Sequence, residues 1–157
     1  MPQPQKVKFP KRTKDLLLVI LQFCIIILHF FEFKYLPKKE ILQVNSISNM
    51  LGYLIIAFAL FIMIRAIQDL GSNLSPFPKP KVDSKLITSG IYSYIRHPMY
   101  CSLILFSFGV FITQLSFYYL SLTIILIFFI KLKIFVEERY LNHKFENYSL
   151  YKNKVKY

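Results

Sequence analysis

The chain has no tryptophan, only four glycines, two cysteines, and eight acidic residues against twenty lysines and arginines. Each shortage excludes something. Two cysteines cannot build a disulfide framework or a cysteine-rich metal cluster; Cys24 and Cys101 both fall inside apolar runs and read as packing residues. Four scattered glycines, Gly52, Gly71, Gly90 and Gly109, supply no glycine-rich strand-to-helix turn, and no stretch alternates like a strand. The soluble nucleotide-binding α/β fold is thereby excluded. No internal repeat and no low-complexity tract occurs.

Charge is also missing over long distances. With His29 taken as neutral, residues 16–31, 41–64 and 98–130 carry none. At 157 residues, 55% of them hydrophobic, the chain is one domain too apolar for water, and the bilayer is its natural solvent. A spanning helix needs ~20 apolar residues, and the third run as one helix would measure ~50 Å against a hydrocarbon core of ~30 Å. That run must fold back at its polar break, Thr113, Gln114 and Ser116. The expected fold is therefore all-α: an integral membrane protein with about four transmembrane helices near 15–35, 45–67, 98–114 and 117–136. The last two form a hairpin, a loop covers 70–97, and an amphipathic cytoplasmic tail covers 137–157. The first run is short and must borrow residues 33–36 or tilt.

A net charge of +12 would suggest nucleic acid in a soluble chain. Here the basic residues lie between apolar runs and act as topology signals, so membrane lipids rather than nucleic acid are the expected partners. The 32–46 segment holds only Lys34, Lys38 and Lys39, and the turn near Gln114 holds none. The remaining lysines and arginines place both termini and the central loop on the cytoplasmic side. No small-residue cleavage site follows the basic amino terminus, so the first span is expected to be retained.

Polar residues gather in two places. In "DLGSNLSPFPKPKVDSKLITSG", Pro76, Pro78 and Pro80 enforce an extended path. Gly90, Tyr92, Tyr94, Arg96, His97, Pro98 and Tyr100 follow. Pro98 suits the first turn of a helix, so the third helix starts near His97, and its free N–H groups with Arg96 make an anion site. An interfacial anchor for Arg96 and a helix cap for His97 are the plainer readings. At the far end of the hairpin, "KLKIFVEERYLNHKFENYSLYKNKV" carries Glu137 and Glu138 within a basic tail. Successive helical residues point ~100° apart, so the two carboxylates cannot both face one site. Either one serves the interior or both are solvated partners of Lys133 and Arg139. Leu141, Phe145, Tyr148 and Tyr151 follow at helical spacing, an apolar stripe for the membrane or for the other helices. The hairpin brings Arg96, His97 and Glu137 to the same face, a pocket suited to a zwitterionic cofactor meeting a lipophilic substrate.

At these residues the sequence resembles the isoprenylcysteine carboxyl methyltransferase family, which includes phospholipid methyltransferase relatives. The resemblance is carried by "KLITSGIYSYIRHPMY" and by Glu-Glu followed by Leu141, Phe145, Tyr148, Tyr151 and Val155, and it covers about residues 70–157, with "NLSPFPKPK" as in bacterial members. It implies an integral membrane enzyme that moves a methyl group from S-adenosylmethionine to a small lipophilic or lipid acceptor entering from the bilayer, with no metal. It further implies that Lys85, Leu86 and Ile87 line the cofactor through their backbone, that Tyr92 packs on it, and that His97, Pro98, Met99 and Tyr100 wrap it. Glu137 would hold a polar part of it. The implied catalytic residues are Arg96, between cofactor and acceptor, and Lys133, where carboxyl-methylating members carry an arginine. Three positions depart from the pattern. Ser102 replaces a common glycine, "FENY" lacks a glycine and is one residue shorter, and Lys133 cannot grip a carboxylate in the bidentate way an arginine does.

Methyl transfer from a sulfonium is an in-line displacement, so such a protein must chiefly align two molecules and exclude water. Tyr92, Tyr94 and Tyr100 offer aromatic faces to the sulfonium charge, and His97 or Glu137 could assist an amine acceptor. Two rivals are a non-catalytic four-helix membrane ligand-binding protein and a nicotinamide-dependent lipid reductase.

Overall fold

The computed structural model describes residues 12–31 and 44–155, with side chains from residue 15 in the first segment. Five α-helices follow one another: α1 Arg12–Leu28, α2 Ser46–Leu70, α3 Pro98–Gln114, α4 Phe117–Lys144 and α5 Tyr148–Lys154. Short 3-10 turns occur at Gly71–Asn73 and Gly90–Ser93. No β-strand occurs among the described residues.

Local chemistry sets these ends. Asn45 caps α2: its side-chain oxygen accepts the Ser48 N–H at 2.8 Å, while Ser48 Oγ accepts the Asn45 N–H at 3.0 Å. Gly71 ends the helix at a φ of 52°. Pro98 occupies the first turn of α3, where its missing N–H leaves no gap. The turn into α4 is made without glycine. Leu115 adopts the left-handed conformation, φ 43° and ψ 39°, closing α3 by a 2.7 Å bond from its N–H to the Phe111 carbonyl, and Ser116 Oγ accepts the Tyr118 N–H.

α2 and α4 are long and apolar enough to cross a membrane, and α1 and α3 are shorter apolar helices. Leu54, Phe58, Phe61, Phe128 and Phe135 are exposed, as a hydrocarbon-facing surface requires. α2 and α3 lie very close because Gly52 and Gly109 face each other. A Cβ on Gly52 would stand 2.8 Å from the Gly109 carbonyl oxygen, and one on Gly109 would stand 3.0 Å from the Gly52 oxygen. On the other side α1, α3 and α4 meet around Ile25, Leu126 and Ile130. His29 donates from Nδ1 to the Ile25 carbonyl at 2.8 Å, so its Nε2 accepts the Ser107 hydroxyl at 2.6 Å, with Thr123 Oγ1 2.8 Å beyond. This buried chain of polar groups ties the three helices together.

Three expectations are corrected. α4 does not stop near 136 but runs to Lys144, so the segment expected to begin the tail continues the helix, with Glu137 and Glu138 at successive helical positions as expected. The expected tail helix is broken, because Phe145 is extended and α5 begins only at Tyr148. Cys24 is exposed on α1 rather than packed. α1 ends at Leu28, followed by a turn through His29 and Phe30. The expected continuation to 35 lies outside the described residues.

Candidate functional site

The site lies where the segment between α2 and α3 folds over the end of α4. Asp69, in the last turn of α2, anchors that segment: its Oδ2 accepts the Ile91 N–H at 2.7 Å, and its Oδ1 lies 3.6 Å from Arg65 Nη2. Gly90 is required here twice over. Its φ is +60°, and a Cβ would sit 2.1 Å from Asp69 Oδ2. The docked turn drives Tyr92 inward, where its hydroxyl donates to the Ala66 carbonyl at 3.4 Å and its own carbonyl accepts the Tyr151 hydroxyl at 2.6 Å. Burial first, and the charge of Glu137 second, raise the Tyr92 hydroxyl above its ordinary range, so it stays neutral. Lys144 ties down the proline-rich stretch. Its ammonium donates to the Lys81 carbonyl, to the Val82 carbonyl at 2.8 Å and to Ser84 Oγ at 2.7 Å.

Two cavities result. The first, of about 650 Å³, opens to solvent between the proline-rich stretch, the extended segment at Lys85, Leu86 and Ile87, and the end of α4 with α5. Its apolar wall is the cluster of Tyr148, Tyr151 and Val155 with Leu86, Leu141 and Phe145. The stripe read from the sequence therefore packs on the loop rather than on the membrane surface. The Leu86 and Ile87 backbones enter no backbone hydrogen bond among the described residues. The Tyr148 hydroxyl is buried without a partner among the described residues, although its ring lines the cavity. Burial raises its pKa, so this hydroxyl is neutral.

The second cavity, of about 550 Å³, lies where α1, α3 and α4 meet the end of α2 and the proline-rich stretch at Leu70, Ser75 and Pro76. His97, Pro98, Met99 and Tyr100 line it with Leu103, Lys133 and, from α1, Gln22. Arg96, Tyr92 and Glu137, with Leu70 and Ser75, line both cavities. Glu137 Oε2 accepts the Tyr100 hydroxyl at 2.5 Å. Arg96 pairs instead with Glu138, Nη1 to Oε1 at 2.8 Å, and Lys152 reaches Oε2 of the same carboxylate at 2.6 Å, with His97 Nε2 at 3.5 Å from Oε1. The ~100° between adjacent helical residues thus gives the two acids separate tasks. Glu137 faces the cavities, and Glu138 gathers Arg96 and His97 from the start of α3 and Lys152 from α5.

The structure brings Lys85, Leu86, Ile87, Tyr92, Arg96 and Glu137 to the first cavity. It places His97, Pro98, Met99, Tyr100 and Lys133 at the second. Tyr94 does not contribute an aromatic face, being 81% exposed. Sequence reasoning missed Asp69, Gln22, Glu138's ion pairs and the Tyr148 hydroxyl. Gln22 left one signal, as a polar residue in an otherwise apolar run; the others left none without coordinates.

These features define a class: a helical membrane protein with a solvent-open cavity adjoining a second one where its apolar helices meet. A family model described as phospholipid methyltransferase matches residues 47–148, and the chain belongs to that family. No curated protein matches the sequence significantly. Membership makes it a membrane methyltransferase by class, in line with the resemblance read from "KLITSGIYSYIRHPMY".

Proposed function

We propose that the chain transfers a methyl group from S-adenosylmethionine, held in the first cavity, to a lipophilic acceptor that reaches the second from the bilayer. The observation that carries this reading is that two adjacent cavities share Arg96, Tyr92 and Glu137, one beside the proline-rich stretch and α5 and the other beside α1 and α3. In this reading four helices span the membrane, and both termini and the site face the cytoplasm.

The residues fit such a cofactor. The apolar wall of Leu86, Leu141 and Phe145 suits an aromatic base, and Glu137 suits an ammonium or a sugar hydroxyl. When bound, S-adenosylmethionine supplies an electrophilic methyl carbon on a sulfonium. The protein's own work is alignment and exclusion of water. Arg96 would repel a sulfonium if its charge were open, but the Glu138 carboxylate at 2.8 Å offsets it. Tyr92 presents a neutral ring to both cavities. A carboxylate or thiolate acceptor needs no base, and for an amine the His97 imidazole beside the second cavity is placed to take the proton.

Calorimetry of S-adenosylhomocysteine binding to the detergent-purified chain tests this. Micromolar binding that is lost in Glu137→Gln and mostly kept in Arg96→Ala is the expected result. A folded wild type that binds neither this nor S-adenosylmethionine overturns the reading, and binding of a reduced nicotinamide would replace it with the reductase.

A further inference from the structure

Beside the two cavities, the last turns of α4 and one face of α5 enclose a groove of about 600 Å³. It shares only Tyr148 with the first cavity and no residue with the second. Arg139 and Asn142 line it from α4, and Lys152 and Asn153 line it from α5. Phe135 lines it too, 59% exposed, with its ring centre 4.7 Å from the Arg139 guanidinium carbon. Towards the middle of α4 the same helix face continues through Leu132 and Phe128, both exposed. The groove therefore stands where the bare apolar surface of a helix long enough to cross a membrane gives way to charge.

The charges in the groove do not cancel. Its one carboxylate, Glu138, already pairs with Arg96 at 2.8 Å and with Lys152 at 2.6 Å. Arg139 enters no ion pair among the described residues. A lone arginine at a membrane border merely extends its head to water. Here a second cation and two side-chain amides, drawn from two helices, line the same space, the mixture of charge and donors that a phosphate group takes. We infer that this groove holds the head group of an anionic phospholipid, its phosphate at Arg139 and Lys152 and one acyl chain along Phe135, Leu132 and Phe128. Such a lipid lies outside both cavities, so it is a resident of the protein's surface that braces α5 against α4 and not the molecule that is methylated. The apolar stripe leading into the groove favours a lipid over a free phosphate. A zwitterionic head group is the poorer fit, since its ammonium would add a positive charge beside two cations.

The chain has no tryptophan, so Phe135→Trp places a single fluorophore at the groove, and Phe61→Trp, on the exposed surface of α2, places one elsewhere against the lipid. The full chain carrying either reporter is reconstituted in vesicles that mix phosphatidylglycerol with phosphatidylcholine, and one lipid at a time carries brominated chains that quench the fluorophore. At the Phe135→Trp reporter phosphatidylglycerol is expected to be preferred by about fivefold, and at the Phe61→Trp reporter by less than about twofold. Adding Arg139→Gln to the groove reporter should bring the preference below about twofold, while Arg139→Lys should keep most of it. Millimolar inorganic phosphate, against chloride of equal ionic strength, should leave the quenching unchanged. The same preference at both reporters would reduce the effect to the general attraction of a basic chain for anionic lipid and overturns the inference. So does a groove preference that survives Arg139→Gln combined with Lys152→Gln, and so does displacement by inorganic phosphate, which would assign the groove to a soluble anion. If Phe135→Trp does not fold, Phe128→Trp on the same stripe serves as the groove reporter.

Discussion

The two cavities are built from different materials. The first is assembled from short, irregular pieces, an extended segment, a 3-10 turn and the seven-residue α5, held by side-chain bonds from Asp69, Lys144 and Tyr151. The second lies where α1, α3 and α4 meet, backed by apolar packing at Ile25, Leu126 and Ile130 and closed by the proline-rich stretch at Ser75 and Pro76. A chamber made of loops can be disturbed by losing one polar contact, and a chamber backed by helices mainly by changing what fills it. Under the proposed function, that contrast would hold the donor by specific contacts and leave the acceptor room to vary.

The largest expected effect falls on the acid shared by the two chambers. Glu137→Ala should weaken S-adenosylhomocysteine binding by about 2–3 kcal/mol, on the order of 100-fold, because a charged hydrogen-bonding partner disappears from a partly desolvated site. Calorimetry would check it; an unchanged affinity would mean that the loops, not the acid, hold the ligand. Next comes Gly90→Ala, which forces a side chain into a positive φ and against Asp69. It should cost about 1–2 kcal/mol or more in stability, read by thermal unfolding, and should lower cofactor affinity with it. Gly52→Ala is its counterpart among the helices, since the added methyl meets the Gly109 carbonyl. It should cost about 1–3 kcal/mol in stability. If the helical half is the more tolerant one, the Gly52 variant that remains folded will keep its cofactor affinity, and the Gly90 variant will not.

Tyr148→Phe sharpens the comparison further. Its hydroxyl has no protein partner among the described residues, so removing it should leave thermal stability unchanged or slightly higher while weakening cofactor affinity by about 1 kcal/mol. A fall in stability with no change in affinity would assign the hydroxyl to the fold instead. The smallest effect belongs to Lys144→Met, which frees the proline-rich stretch from the end of α4. A loss of about 0.5–1 kcal/mol in affinity, seen as faster dissociation rather than slower association, would mark that stretch as a cover.

The same contrast explains what was legible in the sequence. Helices α2, α3 and α4 announce themselves because the bilayer demands long uncharged runs, and Pro98 marks a start that no other residue type would mark so well. The first cavity's residues come from two stretches, 70–96 and 137–151, and the two motifs read from the sequence fall on them. Where sequence reasoning stopped, the missing information was three-dimensional. The helical spacing from Leu141 to Tyr151 suggested one continuous helix, but the extended backbone at Phe145 breaks it while keeping all four side chains around one cavity. Glu137 and Glu138 could not be told apart, because which acid faces inward depends on the rotation of α4 against α3. Gln22 meets Lys133 across 111 positions, and nothing short of packing α1 against α4 could place them together.

Gln22 also lies outside the 47–148 segment that the family model matches, whereas every residue that lines only the first cavity, apart from Tyr151, lies within it. The rest of the second cavity lies inside that segment too, so α1 adds a single side chain to a chamber that the family segment otherwise builds. A chimera that exchanges only residues 12–31 would separate what α1 adds from what the family segment supplies.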